Sequence, residues 1–209
     1  MRPAPAPCRK VGRLVRKLTL VFCALGLVLG GSSAWGHTEK YRAFLSAANE
    51  NPTIPPADSV GVGTSLVTFD LDLLTMRVES SFSNLTGNTT ASHIHCCADA
   101  PTNIGVATQT PTFSGFPLGV KAGSMDQTFD MTLASSYNPA FVTANSGSIS
   151  SSFQALYDGI AQGRAYLNIH SSFRAGGEIR GYYTLVPEPG TFALMLFGMS
   201  GLLLRRRKA

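Results

Sequence analysis

The chain has 209 residues, 14% charged and 44% hydrophobic, with a formal net charge of +5. The excess belongs to the two ends: residues 1–17 carry six basic side chains and residues 205–209 carry four, whereas residues 37–187 hold seven basic and eleven acidic groups, net −4. A mildly acidic body removes the electrostatic warrant for a nucleic-acid partner.

Residues 1–36 read as a signal peptide. Arg2, Arg9, Lys10, Arg13, Arg16 and Lys17 form a basic region without an acid, Leu18 to Leu29 an apolar core, and Gly30 to Gly36 a small, flexible exit. That three-part order is the pattern of a secretory signal. Cleavage fits after Ala34 or after Gly36. An uncleaved anchor is the rival reading, and an apolar run this short disfavours it, since a span needs ~20 residues. Export implies contact with the secretion machinery.

Residues 37–186 are one domain's worth of chain, rich in Gly, Ser, Thr and Asn. Lys40 to Ser46 alternates and predicts an opening strand, followed by a loop from Ala47 to Asp58 that holds Asn51-Pro52 and Pro55-Pro56. Gly61 to Asp70 and Met76 to Phe82 alternate as half-buried strands about a turn at Leu71 to Leu74. After a turn at Asn84 to Thr90 comes Ser92-His93-Ile94-His95-Cys96-Cys97.

This stretch is the candidate site. Strand residues two apart share a face, so His93 and His95 point one way and Ile94 the other. Cys97 joins the histidine face if the strand continues that far. His170 closes a second alternating run, Asn168-Ile169-His170, in which Asn168 is placed either to orient it or to cap a ladder end. Imidazole and thiolate are ligands of zinc and copper. His93, His95, His170 and Cys97 are therefore the candidate ligands, with water, Cys97 or the amine of His37 for a fourth position. The bland alternative is that the histidines hydrogen-bond loop carbonyls at the rim of a β-core. Cys96 and Cys97 are the only cysteines beyond the leader. In an oxidising compartment they form a vicinal disulfide, pair between chains or ligate metal.

Ala98 to Val120 is irregular and long for a structureless loop. Thr128 to Leu133 predicts a strand. Asn138 to Asn145 predicts a short helix capped by Asn138, and Ser152 to Ala161 a second helix with caps at Ser150 to Ser152. Arg164 to His170 and Glu178 to Val186 read as strands of a hairpin about Ala175-Gly176-Gly177. Glu178 and Arg180 share a strand face, which favours a structural ion pair or hydrogen bonding over catalysis. Many short strands with one or two short helices predict an all-β chain, an antiparallel Greek-key sandwich or barrel.

At residues 187–209, Pro187-Glu188-Pro189 precedes an uncharged run from Thr191 to Leu204 and the basic cluster at 205–208. As a helix the run reaches ~21 Å, short of a ~30 Å hydrocarbon core unless flanking arginines snorkel to the headgroups. The three parts in this order resemble the PEP-CTERM sorting signal of Gram-negative bacteria. The resemblance implies a transmembrane helix that holds the precursor in the inner membrane, an exosortase as partner, and a destination at the cell surface or in the exopolysaccharide matrix.

The body has its own resemblance. Phe44-Leu45-Ser46-Ala47-Ala48-Asn49-Glu50-Asn51-Pro52, Ala91-Ser92-His93-Ile94-His95, and Tyr166-Leu167-Asn168-Ile169-His170 followed by Gly177-Glu178-Ile179-Arg180-Gly181 are similar to the CHRD domain. It implies an extracellular all-β module with no assigned chemistry. Many members carry Gly-Pro after the His-x-His, where this chain has Cys96-Cys97. Together the readings give an exported surface or matrix protein, a non-enzymatic structural or binding module. The alternative is a copper- or zinc-binding or redox module built on the His-x-His-Cys-Cys stretch.

Overall fold

The computed structural model describes residues 37–187. Eight strands run in chain order: β1 Thr38–Ser46, β2 Val62–Asp70, β3 Thr75–Ser83, β4 Thr89–Cys96, β5 Gly123–Asp130, β6 Ala165–Ser171, β7 Ile179–Tyr182 and β8 Thr184–Leu185. Two helices, α1 Pro139–Ala144 and α2 Ile149–Ala161, lie between β5 and β6. All strand pairs are antiparallel, in the order β4-β6-β7-β1-β2-β3-β5, with β8 alongside β1. The sheet curls into a half-barrel. The all-β, antiparallel reading therefore holds, in the form of one continuous sheet.

The meander β1-β2-β3 forms where period-2 alternation is strongest. Every residue from Thr38 to Ser46 pairs with one from Asp70 back to Val62, and every residue of β2 pairs onward into β3. The inward set includes Tyr41, Ala43 and Leu45 from β1, Val67 and Phe69 from β2, and Met76, Val78 and Phe82 from β3, all buried. Leu156 and Ile160 of α2, spaced as one helical face, close this core, and Phe153 and Tyr157 meet the Phe69 ring edge-on at centroid distances of 6.0 and 5.4 Å. Edge-to-face pairs of this kind add about 0.5–1.5 kcal/mol each beyond area burial.

Three boundaries differ from the sequence expectation. The strand expected at 128–133 is β5, which starts at Gly123 and stops at Asp130, because Asp130 Oδ1 accepts from the Thr132 N–H (2.9 Å) and hydroxyl (2.6 Å) and turns the chain. α2 starts at Ile149, capped by Ser148, whose hydroxyl accepts from Ser151 N–H at 3.3 Å. The expected last strand is two strands, interrupted at Tyr183: β7 lies between β6 and β1 and pairs with both, whereas β8 pairs with β1.

The segment between β4 and β5 carries no strand of its own but runs along the free edge of β4. Cys96 N–H donates to Gly105 O, Ala107 N–H to Ile94 O and Phe113 N–H to Ser92 O. Near the start of β5, Thr89 N–H donates to Val120 O and Gly119 N–H to Thr89 O, so the segment ties the two ends of the sheet together. Among the described residues no helix is long and apolar enough to cross a membrane; the expected signal peptide at 1–36 and the expected membrane helix beyond residue 187 lie outside them.

Candidate metal centre

β4 and β6, like the shorter β7, bury both faces along most of their length. One face is apolar, with Ile94, Leu167 and Ile169 fully buried. The other is polar. His93 pairs with Asn168, His95 with Tyr166 and Ala91 with His170. Directly paired residues in an antiparallel ladder share a face, and diagonal neighbours lie within reach of long side chains. That register puts the imidazoles of His93, His95 and His170 on one patch, and each of these three is nine-tenths or more buried.

The rings sit with centroids 5.2 Å (His93–His95), 4.6 Å (His93–His170) and 5.8 Å (His95–His170) apart. One ring nitrogen from each lies within 4.8 Å of the other two. Backbone carbonyls from separate segments fix the rings. His95 Nδ1 donates to Ile104 O at 2.6 Å, and His170 Nδ1 to Ala175 O at 2.8 Å, while His93 bonds toward the Pro111 carbonyl. Tyr166 stacks flat on His95 at 4.9 Å. His93 Nδ1, His95 Nε2 and His170 Nε2 are buried and have no hydrogen-bond partner among the described residues.

Burial favours the neutral form of each ring. Desolvation, with the neighbouring histidines adding to it, pushes His93 down to about 3. Desolvation likewise pushes His95 down to about 4 against the Ile104 carbonyl, and lowers His170 against the Ala175 carbonyl. The cluster is thus three neutral imidazoles at neutral pH, each with a lone pair aimed inward.

Cys97 is not part of it. β4 ends at Cys96, so the alternation stops one residue short of carrying Cys97 to the histidine face. Its sulfur is joined to that of Cys96 in a vicinal disulfide and faces Ala155 O of α2 at 3.3 Å. His37 is also elsewhere, its backbone nitrogen 3.2 Å from Asp72 Oδ2 and its Nδ1 3.0 Å from Asp72 Oδ1. Asn168 donates to Gly176 O at 3.4 Å and does not orient His170, a task the Ala175 carbonyl performs.

Glu178 and Arg180 do not pair with each other. The Glu178 carboxylate accepts from Ser59 (2.7 Å), Thr86 N–H (2.6 Å), Gly87 N–H (3.2 Å) and the Ser171 hydroxyl, pinning two loops to the end of β6. Arg180, fully buried beside the histidines, donates to Asn49 O (2.6 Å), Asn103 Oδ1 (2.7 Å) and Pro101 O (2.9 Å) and lies over the Tyr166 ring. The sequence reading missed Tyr166 as a neighbour of His95, though Tyr166-x-Asn168-x-His170 alternates in plain view. The expectation that the histidines bond carbonyls of the segment 98–120 fits Ile104 and Pro111, whereas the Ala175 carbonyl comes from the β6–β7 turn and had no signal to find.

A family model described as the CHRD domain matches residues 41–183, and one described as the PEP-CTERM protein-sorting motif matches residues 185–208. No curated protein and no solved structure matches the chain.

Proposed function

This chain belongs to the CHRD domain family, and from that membership we propose that it is a displayed module of the bacterial cell surface or exopolysaccharide matrix, structural or ligand-binding and not an enzyme. The sorting motif marks an exported protein that an exosortase recognises. One observation supports the finer reading. The motif match opens at residue 185, inside β8, where Leu185 still pairs with Tyr41 and Val186 N–H donates to Lys40 O at 2.8 Å. The sorting signal is grown directly onto the folded domain, so the domain itself is the cargo. Its buried charged groups, Glu178 and Arg180, are engaged in holding loops to the sheet. In this reading the secretion machinery exports the chain, the tail holds the precursor in the inner membrane, and the exosortase releases it near Pro187-Glu188-Pro189.

Intact-mass measurement of the protein from its native host tests the route. The expected species starts after Ala34 or Gly36 and ends between Val186 and Pro189. Deleting the exosortase should leave the precursor in the inner membrane. A chain running to Ala209 as the sole surface species would sink the proposal.

A further inference from the structure

The three inward nitrogens pose a donor-counting problem. His95 and His170 each give their Nδ1 proton to a carbonyl. A neutral imidazole carries one N–H, so their Nε2 atoms are acceptors only. His93 Nδ1 is also buried without a partner, and with the ring proton on Nε2, the nitrogen left for the Pro111 backbone, it is a third acceptor. Three lone pairs thus converge within 4.8 Å with no donor of the protein among the described residues to meet them. Buried acceptors left unmet keep the full penalty of their lost hydration. A water molecule brings two protons and leaves one lone pair unmet. A cation meets all three.

We infer that His93, His95 and His170 form a binding site for one late first-row transition ion, zinc or copper, with a coordination position left for an external ligand. The donor set selects the class. Three imidazoles with no carboxylate in the cluster suit zinc and copper, whereas calcium and magnesium take oxygen. Small closing motions of the rings would bring the nitrogens to the ~2.0–2.1 Å that a bound zinc requires. The carbonyls of Ile104 and Ala175 already fix ring orientation in the way that groups around a metal ligand do. The fourth position falls to an outside molecule, because Cys97 is tied to Cys96 and His37 to Asp72. The site is separate from the sorting route and stands or falls without it.

The test uses the full chain purified in detergent, stripped with a chelator, and titrated in separate arms with zinc and with cuprous copper held by a chromophoric competitor under exclusion of oxygen. One equivalent should bind in at least one arm, and the stronger arm identifies the metal. His95→Ala and His170→Ala should each weaken binding at least about tenfold, while His37→Ala leaves it unchanged. X-ray absorption on the loaded protein should show imidazole scattering with nitrogens at ~2.0 Å, a readout that does not depend on variants folding. His93→Gln, close to the imidazole in size, covers the case where an alanine variant fails to fold. The absence of stoichiometric binding to folded wild-type chain in both arms overturns the inference. So does binding that persists in all three site variants or that lacks imidazole scattering.

Discussion

The two halves of the sheet are built by the same backbone rule to opposite ends. In the meander β1-β2-β3 every second residue is buried and the others meet solvent: Arg77, Glu79 and Thr64 stand on the open face. In β4, β6 and β7 the second face is covered too, by the segments around Asn49, Pro101 to Pro111 and Ala175. What it covers is not more hydrocarbon. It is His93, His95, Tyr166, Asn168, His170 and Arg180. Loops laid over a sheet face must bring backbone carbonyls with them, and those carbonyls need donors. Imidazole and guanidinium supply them. The residual acceptors on the histidines are what a loop-pinning role alone leaves unexplained.

The largest break in this contrast should come from Arg180. Its guanidinium is fully buried, bonded to two carbonyls and a side-chain amide, with Glu50 Oε2 3.8 Å away. Arg180→Met keeps length but strands those acceptors, and removing one member of such a buried pair costs about 3–5 kcal/mol. Glu50 moderates the loss. Burial already pushes its carboxyl up to about 7 against the pull of Arg180 and Arg174, so it can take a proton once the cation is gone. Urea unfolding of wild type and variant, at pH 8 and pH 6, should show the larger deficit at pH 8. An equal deficit at both would remove Glu50 from the account.

Acid should be the next most effective perturbation, measured on chelated protein so that proton competition with a metal does not contribute. His93 and His95 have folded values of about 3 and 4, below the ordinary value of 6.5. Below pH 6.5 the unfolded chain binds those protons and the fold does not, so stability falls as pH falls towards 4. Glu50 acts oppositely. Between about 7 and 4.5 the fold holds a proton on it that the unfolded chain lacks. Two histidines against one carboxyl leave a net of about one proton, which is about 1.4 kcal/mol per pH unit, or about 2.7 kcal/mol from pH 6.5 to 4.5. His170, lowered in the same direction, adds to it. Chelated protein whose urea midpoint stays flat across that range would contradict the burial of neutral imidazoles.

The same contrast decides what could be read from the chain. Alternation announced β1, β2 and β3 because one face of each is wet. It also announced the His93/His95 face and the short run ending at His170. It could not say that β4 and β6 are neighbours, since the pairing of Ala91 with His170 joins residues 79 positions apart. Nor could it foresee that β4 stops at Cys96. That single residue removes Cys97 from the ligand set, because a strand one residue longer would have turned its sulfur to the histidines.

Gly159 offers a smaller and more local test at that strand end. It lies inside α2, where glycine costs about 1 kcal/mol against alanine. The reason is contact: a Cβ there would fall far inside van der Waals distance of both Cys96 and Cys97 sulfurs. Gly159→Ala should destabilise the protein by about 1–3 kcal/mol, the usual cost of overpacking. In a Cys96→Ala, Cys97→Ala background most of that penalty should vanish, since both sulfurs are gone and only the Cβ of residue 97, 3.3 Å away, stays close. Equal destabilisation in both backgrounds would mean that something other than the disulfide forbids the side chain.

The smallest effect belongs to the open half and serves as the control for Arg180. Arg77 on β3 reaches diagonally to Asp126 on β5, with Nε to Oδ1 at 2.7 Å and Nη2 to Oδ2 at 2.6 Å, and Nη2 lies 3.1 Å from Glu79 Oε1. The geometry is bidentate, which is the strongest form of the pair. Its setting undoes most of that advantage. Arg77 is 46% and Asp126 56% exposed, so water solvates both partners before and after separation, and salt screens what attraction remains. Arg77→Ala should therefore move the thermal midpoint slightly at low ionic strength and not at all in 1 M salt, whereas the Arg180→Met deficit should survive the salt. A guanidinium matters in this sheet according to which face covers it, and the salt series measures that cover directly. An Arg77 effect that persists undiminished in high salt would show that the open face is less solvated than its exposure implies.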